Sequence, residues 1–391
     1  MHSAGRTQAC SQIRLRNFRN FGALELEFPR AGVAVVGDNG SGKTNLLEAI
    51  YYLEIFRSFR GAPDEQVVRF GMDAFHLRAR FEEPATGESV EVTAAWEVRS
   101  RTKRVTLDGA EPERIGDAIG RAGAVMFSPA DVGIVAGSRA ERRRFLDIVL
   151  SLNAPGYLPA LQRYRHALRQ RNAMLKTRAA AGLLEAWNAP LVEAGARVLA
   201  ERARWTRQHA AAFTRRFEAV GEDMSARLAY RPGVRLDADD TLDLARTAES
   251  FAAELDRVAA RERERGLTLT GPHRDDLQVL ATADGAEFDL RDFGSGGQLR
   301  TAAIALRMIE AETVREARGR APLILLDDVF AELDAGRSGR VLDMLEREGH
   351  GQVILTAPKE SDVQLREAAS GAFGRELVRW RIAAGRIDKE R

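Results

Sequence analysis

Eight residues, Gly37-Asp38-Asn39-Gly40-Ser41-Gly42-Lys43-Thr44, constrain this chain more than any other stretch. They fit G-x-x-x-x-G-K-[ST], in which glycines let the backbone curl until its N–H groups point inward at a phosphate. The pattern acts only between a strand and a helix. Both are expected here. Gly32 to Val36 is a short apolar run, and Asn45 to Phe56 carries Leu46, Leu47, Ile50 and Leu53 at helical spacing. The start of that helix adds the positive end of its dipole. Lys43 is expected to reach the β- and γ-phosphates of ATP, and the Thr44 hydroxyl to ligate Mg²⁺.

A second element completes the expectation. Leu323-Ile324-Leu325-Leu326 suits a central parallel strand, and it ends in Asp327-Asp328. Carboxylates at that end fall where ligands bind in open α/β sheets. Asp327 is the expected Mg²⁺ partner, directly or through water. Asp328 is placed to orient or deprotonate an attacking water, so Lys43, Asp327 and Asp328 form the expected catalytic set. About 30 residues before this strand lies Phe293-Gly294-Ser295-Gly296-Gly297-Gln298, which opens a helix with Ala302, Ala305, Leu306 and Ile309 on its apolar side. A serine and glycine-flanked N–H groups at a helix start form an anion site.

The rest of the chain organises around these motifs. The alternating run Leu24 to Phe28 reads as a half-buried strand, as do His76 to Phe81, Val90 to Val98 and Arg104 to Leu107. From about Ser138 to Arg265 the chain is rich in Ala, Arg, Leu and Glu, with apolar faces such as Phe145, Ile148, Val149 and Leu152. Strands are expected again at Leu267 to Leu269, Leu277 to Leu280 and Val353 to Leu355. The expected architecture is α/β: a discontinuous ATPase head with mixed sheets over residues 11–127 and 267–391, and an inserted, mainly helical arm over 128–266. No run approaches the roughly 18 apolar residues that cross a bilayer, and Met1 to Cys10 lacks a signal-peptide shape. Cys10 is the single cysteine, which excludes an internal disulfide and suits a reducing cytoplasm.

The signature Ser295-Gly296-Gly297-Gln298 resembles that of ABC-type ATPases, and the chain as a whole resembles the RecF family. The likeness is carried by Leu15 to Phe21, Arg57-Ser58-Phe59-Arg60, Phe127-Ser128-Pro129-Ala130-Asp131, Arg142 to Asp147, Thr270 to Leu277, and Asp327 to Asp334. It implies a dimer that closes on ATP, with the signature acting in trans on the partner's nucleotide. It also implies DNA clamping, cooperation with RecO- and RecR-type mediators, loading of a RecA-type recombinase, support of the SOS response, and a cytoplasmic, nucleoid-associated setting without membrane contact. Glu332-Leu333-Asp334 resembles the loop that crosses between ATP-bound subunits. Two positions depart from the ABC pattern: Asp328 stands where Glu is usual, and Thr356 where a switch histidine is usual. A shorter carboxylate holds water less closely, so slow hydrolysis is expected, as a weak DNA-stimulated ATPase.

Net charge is only +2, so basic residues matter by placement rather than number. From Leu161 to Arg178 there are six basic residues and no acid, and Arg142 to Arg144 adds three. Arg142, Arg143, Arg163, Arg165, Arg169 and Arg171 are the candidate DNA contacts, against the plainer reading of a solvated face in an Arg-rich chain. His273-Arg274-Asp275-Asp276 has poor ligand spacing and is read as structural or nucleotide-adjacent. Two other functions stay open: regulation of a nuclease or toxin partner, as in the OLD family, and an ATP-binding scaffold without turnover.

Overall fold

A computed structural model of the chain describes all residues except 1–5, 222–223, 237–242, 284, 331–332, 349–350, 361–362, 364–376 and 390–391. The chain divides into two units, one of residues 1–130 with 310–391 and one of residues 131–309. In the first, β1 (Ala9–Phe18) and β2 (Phe21–Glu27) form a hairpin, and β3 (Gly32–Val36) leads through the phosphate loop into α1 (Lys43–Ile55). Then come α2 (Asp64–Val67), β4 (Ala74–Glu83), β5 (Glu88–Glu97), β6 (Thr102–Leu107), α3 (Ile115–Ala118) and β7 (Ala124–Phe127). The second unit holds α4 (Gly133–Ala136), α5 (Arg139–Asn153), α6 (Tyr157–Lys176), α7 (Ala181–Glu185), α8 (Asn188–Gly221), β8 (Ser225–Arg231), α9 (Leu244–Arg265), β9 (Asp276–Ala283), β10 (Ala286–Asp289), α10 (Leu290–Phe293) and the start of α11 (Gly296–Arg318). The first unit resumes with β11 (Leu323–Leu326), α12 (Ala335–Arg347), β12 (Val353–Ala357), β13 (Val378–Ala383) and β14 (Arg386–Lys389).

Two sheets make the first unit. One is antiparallel, in the order β2-β1-β4-β5-β6, and the other runs β14-β13-β3-β12-β11-β7. In the latter, β13, β3, β12, β11 and β7 are parallel. Their continuous apolar runs follow from burial on both faces: all four residues of β7 and of β11 are buried. β3 and β11 are not neighbours. β12 lies between them, with Thr356 opposite Val35 and Leu355 opposite Leu326. The phosphate loop and the Asp327 turn therefore leave the same sheet end, one strand apart.

The second unit departs from expectation in three ways. Residues 267–309 belong to it rather than to the head, because β9 pairs with β8 and β10 with β9 in a separate three-stranded sheet. β8 itself lies inside the stretch read as helical. Leu267 to Leu269 forms no strand. That segment is instead fixed by side chains, with Asn172 accepting from Thr268 N and Glu262 from Leu269 N. The helices otherwise follow the apolar spacing. α5, α8 and α11 bury Phe145, Val149, Trp205, Phe213, Ala302, Leu306 and Ile309 in one cluster.

Candidate nucleotide site

The loop between β3 and α1 is held in shape by its own backbone and by its neighbours. Gly42 sits at φ +117, and a Cβ there would lie 2.6 Å from Asn20 Nδ2. Only glycine fits that combination without strain. Asn20 Nδ2 donates to Ser41 O at 3.1 Å, and Gly385 N donates to the same carbonyl at 3.0 Å. Lys43 is buried, and its ammonium donates to Gly37 O at 2.7 Å and Asp38 O at 3.2 Å. Ser41 Oγ is buried and has no hydrogen-bond partner among the described residues. A buried hydroxyl without a partner is costly in isolation and suits a site completed by a ligand's oxygens.

The acidic turn meets this loop. Thr44 Oγ1 donates to Asp327 Oδ1 at 2.8 Å. Lys43 Nζ stands 3.8 Å from Asp328 Oδ2. From the strand between them, Thr356 Oγ1 lies 3.0 Å from Asp327 Oδ1 and 3.2 Å from Asp328 Oδ1, and it accepts from Asp328 N at 3.0 Å. One hydroxyl proton serves only one of those carboxylates at a time. Burial pushes the Asp327 carboxyl up to about 6, the charge of Asp328 adds to this, and the Thr44 hydrogen bond opposes it. Asp328 adopts φ +45, a left-handed conformation that Asp and Asn tolerate better than longer side chains. An all-oxygen set of one hydroxyl and one carboxylate, with phosphate oxygens to complete it, fits Mg²⁺. Thr44 and Asp327 would hold the ion, which would neutralise phosphate charge when bound.

Beside the loop opens a cavity of about 900 Å³, lined by Arg19, Asn20, Lys43, Thr44 and Asp328 and, further out, by Val68, Phe70 and Met72. Its volume suits a nucleotide. Phe70 is fully exposed, an apolar ring with nothing on its face. Neither Asn20 as a brace nor the Val68–Met72 rim was legible beforehand, because their roles depend on which loops the sheet brings together.

In the second unit, Ser295 and Gln298 form a reciprocal cap on α11. Ser295 N donates to Gln298 Oε1 at 2.8 Å, and Gln298 N donates to Ser295 Oγ at 3.2 Å. The N–H groups of Gly296 and Gly297 lie in the first turn, where a helix has no internal acceptors to offer. Ser295 and Gly296 are exposed, and Phe293 is 75% exposed.

Comparison with known proteins agrees with this geometry. Residues 9–377 match the RecF/RecN/SMC N-terminal domain family. A "DNA replication and repair protein RecF" from Exiguobacterium is 35% identical over 360 residues, covering 88% of this chain and 91% of the relative. Its counterpart in Bacillus mycoides is 33% identical, covering 90% and 93%. The chain belongs to the RecF family. Among solved structures, the recombination mediator protein RecF with ATPrS matches with a TM-score of 0.86 at 27% identity over 100% of both chains. An Smc head domain from Pyrococcus furiosus matches at 17% identity with a TM-score of 0.56, a likeness of fold alone.

For a RecF-family chain the arm arginines then sort by environment. Arg142 and Arg171, expected to face DNA, are buried and paired. Arg142 Nε donates to Asp276 Oδ1 at 2.6 Å, and Arg171 Nη2 to Glu262 Oε2 at 2.6 Å. Neither guanidinium reaches a phosphate, because helical spacing put them on the inner face of α5 and α6. Arg163, Arg165 and Arg169 are exposed, although Arg165 pairs with Asp147 at 2.7 Å. Arg143 is half-buried and donates to Asp275 O. Asp275 and Asp276 are structural, as Asp275 accepts from Arg202, Tyr230 and Gly233 N. Of Glu332-Leu333-Asp334, Glu332 lies outside the described residues, and Asp334 caps α12 by accepting from Arg337 N at 2.8 Å.

Proposed function

We propose that this chain is an ATP-switched DNA-binding protein of replication and recombinational repair. ATP with Mg²⁺ occupies the Gly37–Thr44 loop, a second copy supplies Ser295 to Gln298 to the γ-phosphate, and the closed dimer holds DNA. Slow, DNA-stimulated hydrolysis reopens it. RecO- and RecR-type mediators and a RecA-type recombinase are its partners, in the cytoplasm at the nucleoid and in support of the SOS response. The observation that carries the switch is the contact of Thr44 with Asp327 beside the buried Ser41 hydroxyl, which has no hydrogen-bond partner among the described residues, an oxygen-lined arrangement suited to Mg²⁺ and phosphate. The exposed signature supports action in trans, since a helix-start anion site on the surface needs a partner's phosphate to be used. The DNA role is supported by the relatives' names, and Arg143, Arg163, Arg165 and Arg169 are its proposed contacts on α5 and α6. Among the described residues no helix is long and apolar enough to cross a membrane.

Sedimentation of the pure chain with and without ATP and duplex DNA tests the reading. A dimer is expected only with ATP, stabilised further by DNA. Ser295→Arg is expected to abolish the dimer while leaving binding of a fluorescent ATP analogue within about threefold. If the parent chain stays monomeric with ATP, the trans role of Ser295 is lost.

A further inference from the structure

The strongest basic feature of the second unit is not on α6. Beside α9 lies a concavity of about 520 Å³ into which Arg231, Arg235, Arg257, Arg261, Arg265 and Arg274 all project, with Arg139 at its edge. The six are exposed. Among the described lining residues two are carboxylates, Glu254 and Asp276, and both are already engaged. Glu254 accepts from Arg257 Nε at 2.7 Å, and Asp276 is paired to Arg142 and to Arg139. Among the described residues Arg231 and Arg274 donate hydrogen bonds to neutral groups, the side chain of Gln278 and the carbonyl of Thr268, while the charge of Arg231 also helps to lower the Glu287 carboxyl. Among the described residues no ion pair joins Arg235, Arg261 or Arg265 to a carboxylate. Cations gathered this closely repel one another, so the arrangement is stabilised by an anion rather than by the fold.

The chemistry of the lining narrows the anion. Arginine forks take phosphate oxygens in pairs. Arg257, Arg261 and Arg265 repeat every four residues, so they form a row on one side of α9 at about 6 Å per step. That row suits a polymer of evenly spaced anions: with a phosphate roughly every 3.4 Å of duplex axis on one strand, each step spans nearly two phosphates. A protein partner would need aromatic or large apolar anchors, and the apolar lining is confined to Pro232, Val234, Val258 and Leu269. A small-molecule site is predominantly apolar, which this one is not. We infer that the α9 concavity is a nucleic-acid backbone site of the second unit, separate from the α6 face. The inference rests on the proposed DNA role and assigns it a place. Contacts there read phosphates and not bases, since every polar group of the row is a guanidinium.

The test is duplex-DNA binding by the full chain with ATP, followed by fluorescence anisotropy across a salt series. One triple variant carries Arg235→Gln, Arg261→Gln and Arg265→Gln; a second carries Arg163→Gln, Arg165→Gln and Arg169→Gln. All six positions are exposed, and thermal unfolding checks that both variants keep the fold. Losing three phosphate contacts should flatten the slope of log K against log salt by roughly 2–3. The inference stands if the α9 triple flattens the slope by that amount, whatever the α6 triple does. It falls if the parent binds and the α9 triple keeps the parental slope, an outcome that leaves the proposed function intact. It also falls if the α9 triple loses affinity for inorganic polyphosphate alone, or for an acidic peptide alone, with DNA binding unchanged. If the parent does not bind duplex DNA at all, the proposed function fails and this site with it. Phenylglyoxal labelling is a second measurement: DNA should protect Arg261 and Arg265, and undiminished labelling counts against the site.

Discussion

At the scale of single residues, Asp328 and Thr356 are the proposed determinants of hydrolysis beside the Gly37–Thr44 loop. Asp328 holds its carboxylate at a left-handed backbone position, 3.8 Å from Lys43 and within reach of the Thr356 hydroxyl. The chain therefore has a physical reason to use Asp where a longer acid is usual, since a longer side chain at φ +45 is more strained. Asn tolerates the same conformation and cannot take a proton. Asp328→Asn should lower ATP turnover by about 10²-fold or more while ATP affinity stays within a few-fold. A phosphate-release assay beside an equilibrium binding titration separates the two, and turnover unchanged by the substitution would remove Asp328 from the reaction.

At the scale of elements, α5 is tied to β9 by a buried ion pair. Arg142 gives two hydrogen bonds to Asp276 and a third to Gly137 O at 2.6 Å. Removing Arg142 leaves the buried Asp276 carboxylate to the exposed Arg139 at 3.3 Å, a weaker partner, whereas removing both members leaves an apolar contact. Arg142→Met is expected to destabilise the chain by at most about 3–5 kcal/mol, because Arg139 keeps part of the pairing, and Arg142→Met with Asp276→Leu to recover most of the loss. Chemical unfolding of the two variants checks this; equal losses in both would mean that the pair is not the source. The same pair marks where sequence reading ran out. Gly37 to Thr44 and Asp327 were legible because their chemistry is local and their spacing stereotyped. Arg142 and Arg171 were legible only as charge, since which side of α5 and α6 turns inward depends on carboxylates at positions 262 and 276. β8 was hidden for a related reason. Ser225 to Arg231 alternates weakly, and it becomes a strand because β9 offers it a ladder.

At the scale of the whole molecule, the Thr270–Leu277 segment couples stability to pH. His273 Nε2 donates to Thr268 O at 3.1 Å, and in the neutral ring Nδ1 accepts from the Tyr164 hydroxyl at 2.6 Å. Burial pulls its pKa down from 6.5 to about 4, and the charge of nearby arginines works in the same direction. The unfolded chain thus binds a proton near pH 6.5 that the folded chain refuses. The stability held by the neutral ring is complete above pH 6.5 and is lost as pH falls toward 4, by up to about 3 kcal/mol. Unfolding midpoints measured for the parent and His273→Gln at pH 7, 5.5 and 4.5 should converge as pH falls. Parallel curves would show that His273 does not titrate differently on folding.

The order of strands carries a consequence for how the molecule is made. β3 is flanked by β12 and β13, both drawn from the far end of the chain. On a ribosome the phosphate loop emerges early, yet the strands that hold it come out only after roughly tens of seconds of further synthesis. Until then the loop has no sheet edge to spring from, and no Asp327 to face. The residues between, including all of α5 to α9, have their own core and can fold during the wait. Nucleotide capture at this loop is therefore expected to be a late event in the life of each chain, with an incomplete chain silent toward ATP.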